Sequence, residues 1–205
     1  MRVISGYARG IQLDVPRGQD LRPTTDRVKE SLFSVLGDLR GQAVVDLFAG
    51  TGALGLEALS RGAATVALVE KSRDHLRVLR ANLARVQKAL PADLHHEVIV
   101  LECDVLRTPQ VLPDWAGRFD VILADPPYRP AEGGVGPREV LMDPELPRWA
   151  GQALLVLQHA AKDSLPVAPL SGWRVLRQQP IGTTALTYCR FDPAVRVVTA
   201  APRPA

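Results

Sequence analysis

VVDLFAGTGALG, at residues 44–55, indicates a buried strand that leads directly into a helix. Apolar residues at 43–47 predict a parallel strand, and glycines at 50, 52 and 55 predict a tight turn after it. Glycine adopts backbone angles closed to other residues, so Gly50 and Gly52 would let a ligand approach the main chain. The pattern therefore predicts a ligand site at the carboxyl end of this strand.

Two ligand classes suit such a turn. The glycines match G-x-G-x-x-G, and Glu70 follows about 20 residues later, as in nicotinamide-dinucleotide sites. Asp46 argues against a dinucleotide, because it lies where the helix N-terminus would hold a pyrophosphate. A carboxylate repels a phosphate and attracts a cation. S-adenosylmethionine carries an ammonium and a sulfonium but no phosphate, so we expect this cofactor, with a dinucleotide as the alternative.

Length and composition predict one globular domain with a small extension. The chain has 205 residues, of which 46% are hydrophobic and 23% charged, and its net charge is +3. Cys103 and Cys189 lie far apart without metal-ligand spacing. No apolar run reaches the roughly 18 residues of a membrane span, and no signal-peptide core precedes Arg9. We expect a monomeric cytoplasmic protein without a metal and without a membrane partner.

From residue 43 onward, strand and helix patterns alternate, which is typical of a parallel sheet covered on both faces. Two β-prone runs then follow with no helix between them, at 173–178 and 184–191, and predict a closing antiparallel hairpin. The predicted class is α/β: a doubly wound, Rossmann-like, mostly parallel seven-stranded sheet. The other predicted strands cover 43–47, 65–69, 97–101, 119–124 and 153–158, and the predicted helices cover 53–61, 72–90 and 138–149.

The chain is predicted to comprise an N-terminal β-hairpin extension at 1–20, a main domain at 21–192 and a frayed tail at 193–205. The extension, expected outside the main core, either serves as a stabilising flap or contacts phosphate groups through residues such as Arg9. Thr25 is expected to cap a helix with an apolar stripe of Val28, Leu32, Phe33, Val35 and Leu36. Arg22, Thr25 and Arg27 cluster at its start, where they could face the cofactor or the substrate backbone.

Carboxylates lie at the ends of four of the predicted strands or just beyond them. They are Asp46, Glu70, Asp104 and Asp125, and the carboxyl ends of parallel strands share one edge of the sheet. Glu70 suits a ribose diol and Asp104 an adenine amino group. Each acid alone is more typical of a loop or cap, but together they favour an adenosine ligand. The residues expected around the cofactor are Arg22, Thr25, Asp46, Phe48, Ala49, Gly50, Gly52, Glu70, Lys71, Asp104, Val105 and Asp125.

Asp125-Pro126-Pro127-Tyr128 is the candidate catalytic segment. An exocyclic amine on a nucleobase is a poor nucleophile, because its lone pair is delocalised into the ring. The Asp125 carboxylate and the Pro126 carbonyl could accept its hydrogens, orient the nitrogen and stabilise the developing positive charge. Tyr128 could stack on a base that has been flipped into the site. The alternative is a plain Asp-Pro-Pro turn, and the absence of a cysteine here argues against methylation at a ring carbon.

The segment after the catalytic motif is rich in glycine. Gly133, Gly134 and Gly136 follow Arg129 and indicate either a lid over a flipped base or a plain flexible loop. None of the four histidines has acids or cysteines at metal-ligand spacing, so no metal is assigned. The arginines expected to contact RNA are Arg9, Arg22, Arg27 and Arg129.

These motifs resemble the bacterial 16S ribosomal RNA guanine-N2 methyltransferases of the RsmD type. The resemblance covers most of the chain: Ile4-Ser5-Gly6, Arg9-Gly10, LRPTTDRVKE at 21–30, residues 46–62, Glu70 and 125–128. It implies the class I fold of S-adenosylmethionine-dependent methyltransferases and methylation of one guanine N2 in 16S rRNA already bound by ribosomal proteins, within an assembling 30S particle. It also implies Asp125 to Tyr128 as the catalytic segment. One departure is Gln158, where such proteins often carry a glutamate.

Two other functions stay open at this point. A DNA amino-methyltransferase shares the Asp-Pro-Pro-Tyr chemistry but normally needs a domain that reads base edges, for which 205 residues leave no room. A non-catalytic RNA-binding assembly factor would have no reason to keep both Asp125 and the acidic edge.

Overall fold

The computed structural model describes residues 1–16, 25–163, 165 and 172–194, which fold around one seven-stranded sheet. The strands are β1 (Ala43–Asp46), β2 (Thr65–Glu70), β3 (Glu97–Glu102), β4 (Val121–Ala124), β5 (Leu154–Ala160), β6 (Trp173–Ile181) and β7 (Thr184–Phe191). The α-helices are α1 (Asp26–Leu36), α2 (Gly55–Ser60), α3 (Arg73–Gln87), α4 (Thr108–Val111), α5 (Pro137–Met142) and α6 (Leu146–Ala150). No helix in these ranges combines the length and apolar composition that crossing a bilayer requires.

The strands are arranged in the order β3-β2-β1-β4-β5-β7-β6. Strands β1 to β5 are parallel, and β7 runs antiparallel between β5 and β6. The order reverses between β1 and β4, and in doubly wound sheets ligands bind beyond the carboxyl ends of the strands at such a point. The predicted class, the mostly parallel sheet and the closing hairpin are confirmed.

Both faces of the sheet are covered by apolar side chains. One core cluster lies on the side of α1, α2 and α3 and includes Leu32 and Leu59. The other lies on the side of α5 and α6 and includes Val140 and Trp149. Successive residues of a strand point to opposite faces, so Val44 and Val45 enter different clusters. Burial on both faces explains why β1 and β4 are continuously apolar.

Helix α1 begins as predicted, and all but one residue of its expected apolar stripe pack against the core. The Thr25 Oγ1 accepts a hydrogen bond from the Val28 N–H at 3.3 Å, which caps the helix. Val28, Leu32 and Phe33 are buried, and Leu36, in the last turn, is partly buried against the first core cluster. Val35 is 37% exposed and does not belong to the stripe.

Two of the connections between parallel strands differ from the prediction. The helix expected at 138–149 is split into α5 and α6, because Pro144 has no N–H to donate. Asp143 Oδ1 instead accepts the N–H groups of Glu145 and Leu146 at 3.0 and 2.6 Å, which begins a new helix. Between β3 and β4 the chain forms 3₁₀ turns at Val105–Arg107 and Pro113–Trp115 around α4, each too short to show a helical period in the sequence.

The N-terminal segment packs into the main core, contrary to the expectation of an extension outside it. Val3, Ala8 and Leu13 are at most 4% exposed and belong to the cluster of α1, α2 and α3. The expected hairpin is reduced to one isolated antiparallel bridge, Arg2 to Gln12. Gly6 has φ +80°, and a Cβ there would lie 1.9 Å from the Ser60 carbonyl oxygen. The segment thus lies directly on the end of α2. The boundary predicted at residue 20 and most of the predicted tail lie outside the described residues.

A buried ion pair, not foreseen from the sequence, holds this segment. Lys29 on α1 and Glu57 on α2 are completely buried, with Lys29 Nζ 3.4 Å from Glu57 Oε2. The Glu57 carboxylate also accepts the N–H groups of Ile4 and Ser5 at 2.7 and 3.0 Å. Lys29 Nζ donates in turn to the Arg2 carbonyl oxygen. One carboxylate therefore joins both helices to the start of the chain.

Candidate active site at the carboxyl edge of the sheet

Asp46 lies beneath the glycine turn rather than on an open rim. It is 1% exposed, and its Oδ2 accepts the Gly55 N–H at 2.9 Å while Oδ1 accepts the Phe48 N–H at 3.4 Å. A Cβ at Gly55 would lie 2.2 Å from Leu68 Cδ2, so only glycine lets α2 lie this close to the sheet. Asp46 therefore fixes the turn through its two backbone hydrogen bonds.

Three carboxylates converge on this point. The pKa of the Asp46 carboxyl is raised to about 7, mainly by burial and also by the negative charges of Asp125 and Glu70, against the hydrogen bonds from Gly55 and Phe48. Asp46 and Glu70 are the last residues of β1 and β2, Asp125 follows β4, and β1 is paired with both other strands. A positive charge nearby would favour the ionised form of Asp46, so this arrangement suits a cationic ligand.

Glu70 joins the glycine turn to the start of α3. Its Oε2 accepts the Gly50 N–H at 2.8 Å, and its Oε1 accepts the Ser72 N–H at 2.7 Å. His75 Nδ1 also lies 3.5 Å from Glu70 Oε1, a contact that was not predicted from the sequence. The sequence does contain a signal for this contact, because Ser72 is a capping residue for α3 and brings His75, three residues later, back to the end of β2. Each Glu70 oxygen keeps a lone pair for a further donor such as a ribose hydroxyl.

Gly50 and Gly52 have different surroundings in the turn. Gly50 has φ +54°, and the nearest atom to a Cβ there would be the Phe48 carbonyl oxygen at 3.9 Å. The space beside Gly50 is therefore open, and the approach of a ligand to the main chain there stays a prediction. Gly52 has φ +96°, but a Cβ there would lie 2.5 Å from Leu56 Cδ1 and 2.7 Å from Leu79 Cδ1. Its role is packing, which differs from the expected ligand approach.

Asp104, just beyond β3, lies near Lys71, the residue after β2. Asp104 Oδ1 accepts the Leu106 N–H at 3.1 Å, and Lys71 Nζ lies 3.6 Å from Asp104 Oδ2. The side chains of Val105 and Ala49, both expected near the cofactor, are 5% and 3% exposed and belong to the core, so only their backbone could face a ligand. Phe48 is half-buried beside the second core cluster.

The catalytic segment follows β4 directly. Asp125 is half-buried, Pro126 is buried and Pro127 is exposed. Tyr128 is half-buried, and its Oη lies 3.0 Å from Thr184 Oγ1 and accepts Gln158 Nε2 at 3.3 Å. Sequence reasoning missed both partners, since they are 30 and 56 residues away. Gln158, the last residue of the strand predicted at 153–158, lies within β5.

The glycine-rich segment at 133–136, for which a lid and a plain flexible loop were the alternatives, forms a hydrogen-bonded turn. The Gly134 N–H donates to the Ala131 carbonyl oxygen at 2.8 Å, and the Gly136 N–H donates to Glu139 Oε2 at 2.9 Å. Val135 between them is 8% exposed and belongs to the second core cluster. These contacts give the glycines a packing role at the start of α5.

The described arginines of the predicted RNA surface, namely Arg9, Arg27 and Arg129, are exposed. Arg22 lies outside the described residues. Within the described ranges, no group of three or more His, Cys, Asp and Glu side chains is arranged to hold a metal ion.

Comparisons with known proteins agree on one family. The family model described as Conserved hypothetical protein 95 matches residues 1–190. Ribosomal RNA small subunit methyltransferase D of Escherichia coli K12 is 34% identical over 186 residues, which cover 90% of this chain and 87% of that protein. The protein of the same name from Haemophilus influenzae is 32% identical, covering 89% of each chain. The structure of a hypothetical protein from a Thermus species is 30% identical with a TM-score of 0.70, over 93% of this chain and 99% of that one.

Proposed function

This chain belongs to the Conserved hypothetical protein 95 family, together with the ribosomal RNA small subunit methyltransferases D, and on that premise we propose its full reaction. It transfers a methyl group from S-adenosylmethionine to the exocyclic N2 of one guanine in 16S rRNA, within an assembling 30S particle. The observation that carries this proposal is the Asp-Pro-Pro-Tyr segment at the end of β4, one strand away from the glycine turn after β1.

The residues at the edge of the sheet fit a cationic donor. Asp46 has a pKa raised to about 7 by burial and by two neighbouring carboxylates, so a positive charge nearby would be stabilised. Glu70 would accept the ribose hydroxyls, Asp104 the adenine amino group, and the open space at Gly50 would admit the ligand to the main chain. S-adenosylmethionine supplies an electrophilic methyl group when bound.

The catalytic segment prepares the amine. The Asp125 carboxylate and the Pro126 carbonyl each accept one N–H of the guanine amine, which directs the nitrogen lone pair away from the ring and out towards the methyl group. Tyr128 stacks on the base and holds it in line. Because the Asp125 carboxylate is negatively charged, it also stabilises the positive charge that develops on the nitrogen.

The product identifies the reaction. We expect that incubation with labelled S-adenosylmethionine and 30S particles yields labelled N2-methylguanosine after digestion of the RNA to nucleosides. Free 16S RNA, duplex DNA and 30S particles without enzyme are run in parallel. Label in N6-methyladenosine, or in the DNA, would contradict the proposed substrate. If free 16S RNA is labelled as strongly as the RNA of the 30S particle, only the proposed assembly stage would be contradicted, and the proposed reaction would stand.

The charge of Asp46 should make donor binding depend on pH. Its pKa of about 7 means that the carboxylate is ionised above that pH and neutral below it. We therefore expect the affinity for S-adenosylmethionine to fall up to about tenfold for each unit that the pH drops below 7. S-adenosylhomocysteine lacks the sulfonium charge, so its affinity should change less.

Calorimetry between about pH 5.5 and 8.5, with both ligands, measures this effect. Asp46→Asn keeps an oxygen for the Gly55 N–H and removes the charge, so this variant should bind the donor more weakly at pH 8 and lose the pH dependence. An unchanged slope in Asp46→Asn would assign the titration to another group.

A further inference from the structure

The ring of Tyr128 is fixed at its hydroxyl end by two strands. Oη lies 3.0 Å from Thr184 Oγ1, the first residue of β7, and accepts a hydrogen bond from Gln158 Nε2 on β5 at 3.3 Å. β5 and β7 are paired neighbours in the sheet. The hydroxyl end of the Tyr128 ring is thus attached to β5 and β7, although Tyr128 itself belongs to the catalytic segment that follows β4.

Gln158 comes next after the last residue of β5 that pairs with β4. The register pairs Ala124, the last residue of β4, with Leu157, so Asp125 and Gln158 both follow this pair at the carboxyl edge of the sheet. Alternation places Gln158 on the face of Val156, which belongs to the cluster of α1, α2 and α3. At 6% exposure Gln158 is buried, so its polar atoms cannot rely on solvent.

Half of the Gln158 amide is unsatisfied. Nε2 donates to Tyr128, but Oε1 is buried and has no hydrogen-bond partner within the described part of the chain. Buried polar atoms are nearly always paired, and an apolar side chain of similar size would avoid the desolvation cost. We therefore expect Gln158 to lower the stability of the fold relative to a leucine at the same position. Packing alone does not explain why a glutamine is present here.

We propose that Gln158 is a positioning residue that acts through the Tyr128 hydroxyl, with Thr184 as the second anchor, to hold the ring against which the target base stacks. This inference rests on the proposed function. A misplacement of about 1 Å in such a segment can lower a rate about a hundredfold. A glutamine supplies the donor without adding a further negative charge beside Asp46, Glu70 and Asp125.

A double-mutant cycle tests this role in the full chain, with 30S particles as substrate. Gln158→Leu and Tyr128→Phe should each lower kcat about 10- to 100-fold, whereas KM for the particle and the donor Kd change less than about threefold. Because both changes break the same contact, Gln158→Leu/Tyr128→Phe should be no slower than the slower single variant. The thermal midpoint of Gln158→Leu should equal or exceed that of the wild type, since the unpaired oxygen is gone.

Two further variants complete the test. Thr184→Val removes the other anchor with little change of shape and should lower kcat about 3- to 10-fold. Gln152→Leu is the matched control, because this exposed glutamine precedes β5 at the opposite edge of the sheet; its kcat should equal that of the wild type. A wild-type kcat in Gln158→Leu, losses that multiply in the double variant, or a lower thermal midpoint would overturn the proposal. A wild-type enzyme that forms no N2-methylguanosine would instead overturn the proposed function.

Discussion

Asp125→Ala is expected to lower kcat for methyl transfer about a thousandfold, with the Kd for S-adenosylmethionine within about threefold of the wild type. The reason is that this carboxylate acts on the amine, whose positive charge develops in the transition state and lasts until the methylated nitrogen releases a proton to the carboxylate or to solvent. Its loss also removes one of the charges that raise the pKa of Asp46, so Asp46 stays ionised to lower pH and continues to attract a cation. Single-turnover kinetics on 30S particles and calorimetry with the donor measure the two quantities separately.

Two variants sharpen this test. Asp125→Asn keeps a carbonyl acceptor but not the charge. We therefore expect its kcat to be about 10- to 100-fold below that of the wild type, which is a smaller loss than in the alanine variant. Asp114→Ala, at an exposed residue between α4 and β4, is the control and should leave both constants unchanged. A donor affinity about a thousandfold weaker in Asp125→Ala would show that Asp125 is mainly a cofactor ligand.

The sequence predicted the sheet because its signal is local. VVDLFAGTGALG shows the strand, the turn and the helix within twelve residues, and the other parallel strands are short, continuous apolar runs. The antiparallel hairpin was readable from the absence of a helical pattern between 173 and 191. The positions of Asp46 and Glu70 could also be predicted in part from the sequence. Each carboxylate accepts a backbone N–H from a residue that is close to it in the chain.

The missed features depend on distant residues. Lys29 and Glu57 are 28 residues apart on different helices, and nothing in either sequence neighbourhood indicates that both charges are buried. The anchoring of Tyr128 by Thr184 spans 56 residues and needs the strand order to be known first. Short β-prone runs at the N-terminus suggested a separate hairpin, because the sequence does not reveal that Val3, Ala8 and Leu13 face the main core.

The buried ion pair leads to the largest expected change in stability. Glu57→Leu should lower the free energy of unfolding by about 3–5 kcal/mol, because it leaves the buried Lys29 ammonium without its partner. It also leaves the N–H groups of Ile4 and Ser5 without their acceptor. Urea unfolding at about pH 7 and 25 °C measures the loss. Glu30→Leu, at an exposed residue of α1, is the helical control and should stay within about 0.5 kcal/mol of the wild type.

The pH dependence of this variant separates the charge from the lost contacts. Burial already lowers the pKa of Lys29 from its ordinary value of 10.5, against the attraction of Glu57, and removing Glu57 lowers it further. The folded state of Glu57→Leu then binds fewer protons than the unfolded state, so its stability should rise with pH by up to about 1.4 kcal/mol per unit until the unfolded lysine titrates. Lys29→Met/Glu57→Leu has no such charge, so it should be more stable than Glu57→Leu at neutral pH and lose this dependence. If the double variant is no more stable, the damage comes from the lost hydrogen bonds of Glu57 to Ile4, Ser5 and Arg61 rather than from the unpaired ammonium.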